Sequence, residues 1–203
     1  KNPKSETPKI LRHRQLASIS PSGVDTRSQE CSISKPMRNK KNTAVEAPYD
    51  DAQTWVCWDI EKCPVPRGCK ADKIAGKIRS ALVKLNYRGP ISISAYGNMD
   101  HIPPSIKKAL SSTGIVLKHV HPGEFRLHVV NKITFWPFRN PAPANIMVIS
   151  RDESLYFTFP ELQSEGYNIL LAHPANASDY FIASANTTWL WRSLLEEPEI
   201  TEP

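Results

Sequence analysis

Thr54-Trp-Val-Cys-Trp-Asp-Ile60 is the stretch that decides the fold. Four apolar residues, Trp55 to Trp58, run together and close on an acid, as in a strand buried on both faces. The pattern returns in Ile91-Ser-Ile-Ser-Ala-Tyr96, ended by Gly97, and in Ile115-Val-Leu-Lys-His-Val120. It returns twice more, in Asn145-Ile-Met-Val-Ile149 and Tyr167-Asn-Ile-Leu-Leu-Ala172. The intervening segments have helical character. Over 69–86, Ile74, Ile78, Ala81, Leu82 and Leu85 recur at helical spacing and define one buried stripe. Residues 104–111 predict a short helix with proline in its first turn. Residues 126–139 predict another, with Pro137 near its end, and 152–166 a helical stretch interrupted by Pro160.

Strands alternating with helices specify an α/β fold. Right-handed crossovers make it a three-layer αβα sandwich with a five-stranded, mainly parallel sheet. A ligand in such a sheet sits beyond the strand C-termini. Two acids stand there: Asp59 closes the first strand and Asp152 follows the fourth. Residues 176–195 carry Trp189, Trp191, Leu194 and Leu195, and are expected to dock as a helix or an extended strap. The expected division is a basic arm over 1–48, a folded domain over 49–175 and a C-terminal extension over 176–203.

Charge supports this division. Of 26 Lys+Arg and 20 Asp+Glu, residues 1–48 hold 10 and 4, which leaves 16 of each for the remainder. The whole net charge of +6 therefore belongs to the arm. The arm is rich in Lys, Arg, Ser and Pro and poor in apolar residues, so it is expected to be disordered. Its densest cluster is Arg38, Lys40 and Lys41. Either it binds nucleic acid or it is a solvated tail.

No apolar run approaches the ~20 residues that cross a bilayer. Four cysteines in 203 residues make no disulfide scaffold. Cys57, Cys63 and Cys69 repeat every six residues, which is neither a zinc nor a redox spacing. They read as reduced thiols of an intracellular protein, cytoplasmic or nuclear. His119 and His121 lack a third ligand at metal spacing, and the Asn-x-Ser/Thr matches at Asn176 and Asn186 are taken as chance.

Trp58-Asp-Ile-Glu-Lys-Cys-Pro-Val-Pro66 resembles the opening signature of the NYN domain, W-D-I/L-E-N-C-x-V-P. The likeness continues through Tyr87-Arg-Gly-Pro-Ile-Ser-Ile-Ser-Ala-Tyr-Gly97 and Ala109-Leu-Ser-Ser-Thr-Gly-Ile115. It resumes at Asn140-Pro-Ala-Pro-Ala-Asn145, Ile149-Ser150 and Gly166-Tyr-Asn-Ile-Leu-Leu-Ala172, and covers residues 54–174. The subgroup it looks most like is that of limkain and the meiosis regulator and mRNA stability factor, in plant-like form. The resemblance implies a PIN-like nuclease fold with the first and fourth strands adjacent. It also implies that active relatives use about four carboxylates to hold Mg2+ or Mn2+ against an RNA phosphodiester, because hard cations take oxygen ligands and activate water.

Carried over residue by residue, the family's acidic positions give Asp59 and Asp152 as catalytic and metal-binding remnants. The Asn after the first acid is Lys62, two acids expected in the third helix are Arg126 and Lys132, and I-S-G-D-x-D-F becomes Ile149-Ser-Arg-Asp-Glu-Ser-Leu155. Arg151 thus replaces the Gly and Ser154 the second Asp. A pocket of four carboxylates becomes two carboxylates facing up to four cations, each worth on the order of 4 kcal/mol against a cation at ~4 Å. Glu61, Glu124 and Glu153 lie near enough in sequence to be substitute ligands. Asp59 and Asp152 also have a plainer role, capping backbone N–H groups or pairing with Arg126 or Lys132. Pro137 and Pro160, read as helix-interior prolines, suggest relaxed constraint around the pocket.

The expected function is an RNA-associated regulatory protein with a degenerate NYN endoribonuclease domain, acting post-transcriptionally in gene expression. Lys62, Arg126, Lys132 and Arg151 would form an RNA-binding cleft, with Tyr96, Phe125 and Trp136 as candidate rings for base stacking and core packing the favoured role of Trp136. The alternative is an active metal-dependent endoribonuclease on single-stranded RNA. No cofactor is expected, or Mg2+ or Mn2+ if catalysis is retained. RNA is the expected partner, with possible protein partners and no membrane. The family resemblance alone raises the peroxisome, and the terminal Glu-Pro-Glu-Ile-Thr-Glu-Pro carries no S-K-L address.

Overall fold

A computed structural model describes residues 42–121 and 123–196. Among them, six parallel strands form one sheet in the order β3-β2-β1-β4-β5-β6. In chain order these are β1 (Thr54–Asp59), α1 (Ile74–Lys84), β2 (Ile91–Gly97), α2 (Pro104–Ser112) and β3 (Val116–His119). Then follow α3 (Phe125–Phe135), β4 (Ala144–Ile149), α4 (Phe159–Ser164), β5 (Tyr167–His173), α5 (Asp179–Ala183), β6 (Thr187–Leu190) and α6 (Trp191–Glu196). The α/β class and the parallel sheet agree with the expectation. The sheet has one strand more than the five expected.

The strand period of two sorts side chains into two cores. Val56 and Trp58 of β1, Ile93 and Ala95 of β2 and Met147 and Ile149 of β4 pack beneath α1, α2 and α6. Trp55, Cys57, Ile146, Val148 and Leu171 pack on the other face, beneath α3, α4 and α5. β1, β4 and β5 are buried along their whole length. They occupy the middle of the sheet, which is why their sequences are continuous apolar runs.

The sixth strand, which the helix α6 follows, comes from the segment expected to dock as a helix or an extended strap. Its anchor is a row of polar side chains across neighbouring strands. Tyr87 Oη lies 2.9 Å from Thr187 Oγ1 and accepts from Asn168 Nδ2 at 3.1 Å. Asn168 Nδ2 also donates to Asn145 Oδ1 at 2.9 Å, and Asn145 Nδ2 donates to Thr54 Oγ1 at 3.2 Å. Such a row fixes register, because a slip would leave buried amides without partners. Asn186 belongs to the same attachment: its Oδ1 accepts from the Ile169 N–H at 2.9 Å.

Residues 1–41 of the basic arm, including Arg38, Lys40 and Lys41, lie outside the described residues. The next few are tied to the domain. Asn42 exchanges hydrogen bonds with the backbone of Thr188, and the Val45 N–H donates to Leu85 O at 2.8 Å.

Both prolines occupy permitted places, which corrects the reading of helix-interior strain. α3 ends at Phe135, two residues before Pro137. The stretch after Asp152 is a 3-10 turn over Glu153–Thr158 followed by α4, in whose first turn Pro160 sits. There a missing N–H costs nothing. The prolines are therefore no sign of decay around the site.

Candidate functional site

β1 and β4 are hydrogen-bonded neighbours, with Trp58 opposite Ile149. Their parallel course brings Asp59 and Ser150 out at the same end of the sheet, both fully buried. Ser150 joins the two acids: its hydroxyl donates to Asp59 Oδ2 at 3.0 Å and accepts from the Asp152 N–H at 2.9 Å.

The other oxygen of Asp59 is also engaged within the chain. Asp59 Oδ1 accepts from the N–H groups of Glu61 at 3.2 Å and Lys62 at 3.0 Å. That folds the chain back on itself straight after β1. Trp58 Nε1 donates to Cys63 O at 2.7 Å and Trp191 Nε1 to Pro64 O at 3.1 Å, so the returning loop is clamped from below. Gly97 completes the clamp, because a Cβ there would stand 2.8 Å from Glu61 Cγ and 2.9 Å from Ile60 Cγ2. Asp152 caps the following 3-10 turn. Its Oδ1 accepts from Ser154 N at 3.2 Å and Ser154 Oγ at 2.5 Å. Its Oδ2 meets the ammonium of Lys62 at 2.9 Å.

The two acids differ in electrostatics. Burial pushes the Asp59 carboxyl above the usual range, against the lowering effects of the Lys62 N–H, the Ser150 hydroxyl and the Lys62 charge. Burial pushes Asp152 up as well, but the Lys62 ammonium and the Ser154 hydroxyl outweigh it and leave Asp152 below the usual range. The Cys63 thiol is pushed up to about 12, chiefly by burial and next by Asp59, with Arg151 acting in the opposite sense. It is inert as a nucleophile at neutral pH.

Of the cations expected around the acids, Lys62 pairs with Asp152 and the charge of Arg151 reaches the neighbouring Cys63. Arg126 and Lys132 do not share a cleft face. Six residues of helix separate them by ~9 Å along the axis and ~120° around it. The buried stripe of α3, Phe125, Val129 and Ile133, runs between their two directions. The ion pair expected from Arg126 or Lys132 is made by Lys62 instead.

Lys132 lines a different cleft of about 620 Å³, with Lys118, Arg139, Phe135 and Phe138. Tyr96 and Phe125, considered for base stacking, are each only 4% exposed and pack in the core. Trp136 stacks on Trp55, with centroids 5.6 Å apart and planes at 17°, as expected of a core residue. Phe135 and Phe138 were missed, as were Lys118 and Arg139. One signal for them was present: the alternation Ile91-Ser-Ile-Ser94 marks a strand with one uncovered face.

The substitute acids do not assemble. Glu153 Oε1 accepts from Ser178 N at 2.8 Å, Glu61 packs on Gly97 and Glu124 is the exposed N-cap of α3. Among the described residues no group of three or more His, Cys, Asp or Glu is placed to hold a metal ion. As they stand, Asp59 and Asp152 do not fit a divalent cation. Their oxygens are committed to internal donors, and an ammonium group occupies one side.

Residues 53–190 match the NYN domain family, more than half of the chain. The chain belongs to the NYN domain family. The NYN match extends through β6, so the sixth strand falls within the matched span. A solved structure from Vibrio parahaemolyticus, of a protein of unknown function, is similar in fold with a TM-score of 0.51 and 12% identity. The similarity covers 71% of this chain and 94% of that one, and at such identity it speaks for the fold alone. No curated protein matches the chain. Among the described residues, no helix of this NYN protein is long and apolar enough to cross a membrane.

Proposed function

We propose that the chain is an RNA-associated regulatory protein, acting post-transcriptionally, whose NYN domain is a degenerate endoribonuclease. The observation that carries this reading is the 2.9 Å contact between Lys62 Nζ and Asp152 Oδ2. The ammonium supplies to Asp152 the positive charge that a metal would supply in an active relative. A metal would have to displace Lys62 and also compete for Asp59 with two backbone N–H groups and the Ser150 hydroxyl. Lys118, Lys132 and Arg139 make no ion pair among the described residues and can meet phosphate.

A second reading, a metal-dependent endoribonuclease on single-stranded RNA, draws on one observation. Asp59 and Asp152 do meet through Ser150 at the C-terminal end of adjacent strands. Incubation of the full chain with single-stranded RNA and Mn2+, beside Asp59→Asn, separates the two. The regulatory reading expects intact RNA in both. Mn2+-dependent cleavage lost in Asp59→Asn establishes the nuclease. The limkain-like subgroup and any association with peroxisomes belong to this proposal too and rest on sequence resemblance alone.

A further inference from the structure

We infer that the cleft between α3 and the open face of β2–β3 binds a single RNA strand, at a site separate from Asp59 and Asp152. The inference rests on the RNA-associated reading above and names where that association occurs.

β3 is an edge strand, and α3 covers β1, β4 and the Tyr96 end of β2 while leaving the Ser92 end of β2 and the same face of β3 open. On that open face Ser92 and Lys118 are exposed and Val116 is 47% exposed. The opposite wall is the C-terminal half of α3 with the turn that follows. Three separate elements each send one cation into the cleft: Lys118 from β3, Lys132 from α3 and Arg139 from the turn. No carboxylate lines it, and none of the three makes an ion pair among the described residues. Burial, then the Lys132 charge and more weakly that of Lys118, lower the titration of His128 against the opposing charge of Glu124, and the His128 ring packs on Tyr96 at 5.3 Å.

Cations alone would suit any polyanion. The rings select the occupant. Phe135 and Phe138 are 64% and 82% exposed, with centroids 6.2 Å apart. Exposed phenylalanines beside a row of cations match unpaired bases joined by phosphates, because every base offers a stacking face while a duplex hides it. An acidic peptide would use the cations and leave the rings wet.

The test is fluorescence anisotropy of a labelled single-stranded oligouridylate of about 12 nucleotides against the full chain. Lys118→Glu/Lys132→Glu and Phe135→Ala/Phe138→Ala should each weaken binding about tenfold or more. Arg79→Glu/Lys108→Glu, exposed cations on α1 and α2 across the sheet, should stay within about twofold. The double lysine variant should also flatten the slope of log K against log salt by roughly 1.4, two contacts at ~0.7 each. Circular dichroism of each variant confirms folding. If the cleft variants bind like wild type, the cleft inference falls and RNA association stands. If wild type binds no RNA, both fall. Equal binding of a duplex, indifferent to Phe135→Ala/Phe138→Ala, overturns the single-strand assignment. Displacement of the probe by oligoglutamate at equal charge overturns RNA as the occupant.

Discussion

At the head of β1, each oxygen of Asp59 accepts from a donor of its own chain, and Asp152 is capped by Ser154 and paired with Lys62. In the cleft beside β2, Lys118, Lys132 and Arg139 make no ion pair among the described residues, and two phenylalanine rings face water. The first region is closed on itself and the second is open. A buried group without partners is costly, so polar groups at the strand ends become structural once they find internal donors. Exposed cations pay no such penalty and stay available. Position in the fold nominates a site, but the state of its hydrogen bonds decides whether the site has anything left for a ligand.

The largest expected effect lies in the closed region. Asp59→Ala orphans the Ser150 hydroxyl and two backbone N–H groups, and should cost about 3 kcal/mol in chemical denaturation. The cleft pair Lys118→Glu/Lys132→Glu should change stability by no more than about 0.5 kcal/mol. An Asp59→Ala protein as stable as the cleft variant would break the comparison. Ser150→Ala should come next, at roughly 1–2 kcal/mol, because it leaves Asp59 Oδ2 buried without its donor. Lys62→Ala removes a half-exposed pair and should cost under about 1 kcal/mol, while returning Asp152 upward toward the ordinary carboxylate range. Carboxyl NMR titration reads that return.

The same titration checks a difference of sign. Asp152 is held below its ordinary value, so its ionised form stabilises the fold above ~3.9 and that support is lost as pH falls through its folded value. Asp59 is held above its ordinary value, so its contribution is full below ~3.9 and lost as pH rises through its folded value. On acidification Asp59 should therefore take its proton first and Asp152 second. The reverse order would show that burial does not dominate at Asp59. The smallest expected effect is Pro137→Ala, within about 0.5 kcal/mol, since the residue lies beyond the end of α3.

Much of the fold was legible in the sequence because the central strands are apolar along their length and end on turn residues. β6 was not legible: Thr187-Thr-Trp-Leu190 is short, and its anchors, Tyr87 and Asn42, lie far away in the chain. Within the site, the positions of Asp59 and Asp152 follow from strand order. The Lys62–Asp152 pair spans 90 residues and depends on the turn that Asp59 imposes, so charge alone could suggest it without placing it. Lys132 was misplaced because helix phase carries it to the opposite side of the buried stripe from Arg126. The prolines were misread because helix ends are less legible than helix middles.

Calorimetric titration of Mn2+ into the full chain measures directly whether the closed acidic pair has room for a cation. Lys62 and the internal donors predict no saturable site up to on the order of 1 mM Mn2+. One saturable site with a dissociation constant on the order of 10 μM, abolished by Asp59→Asn, would contradict it.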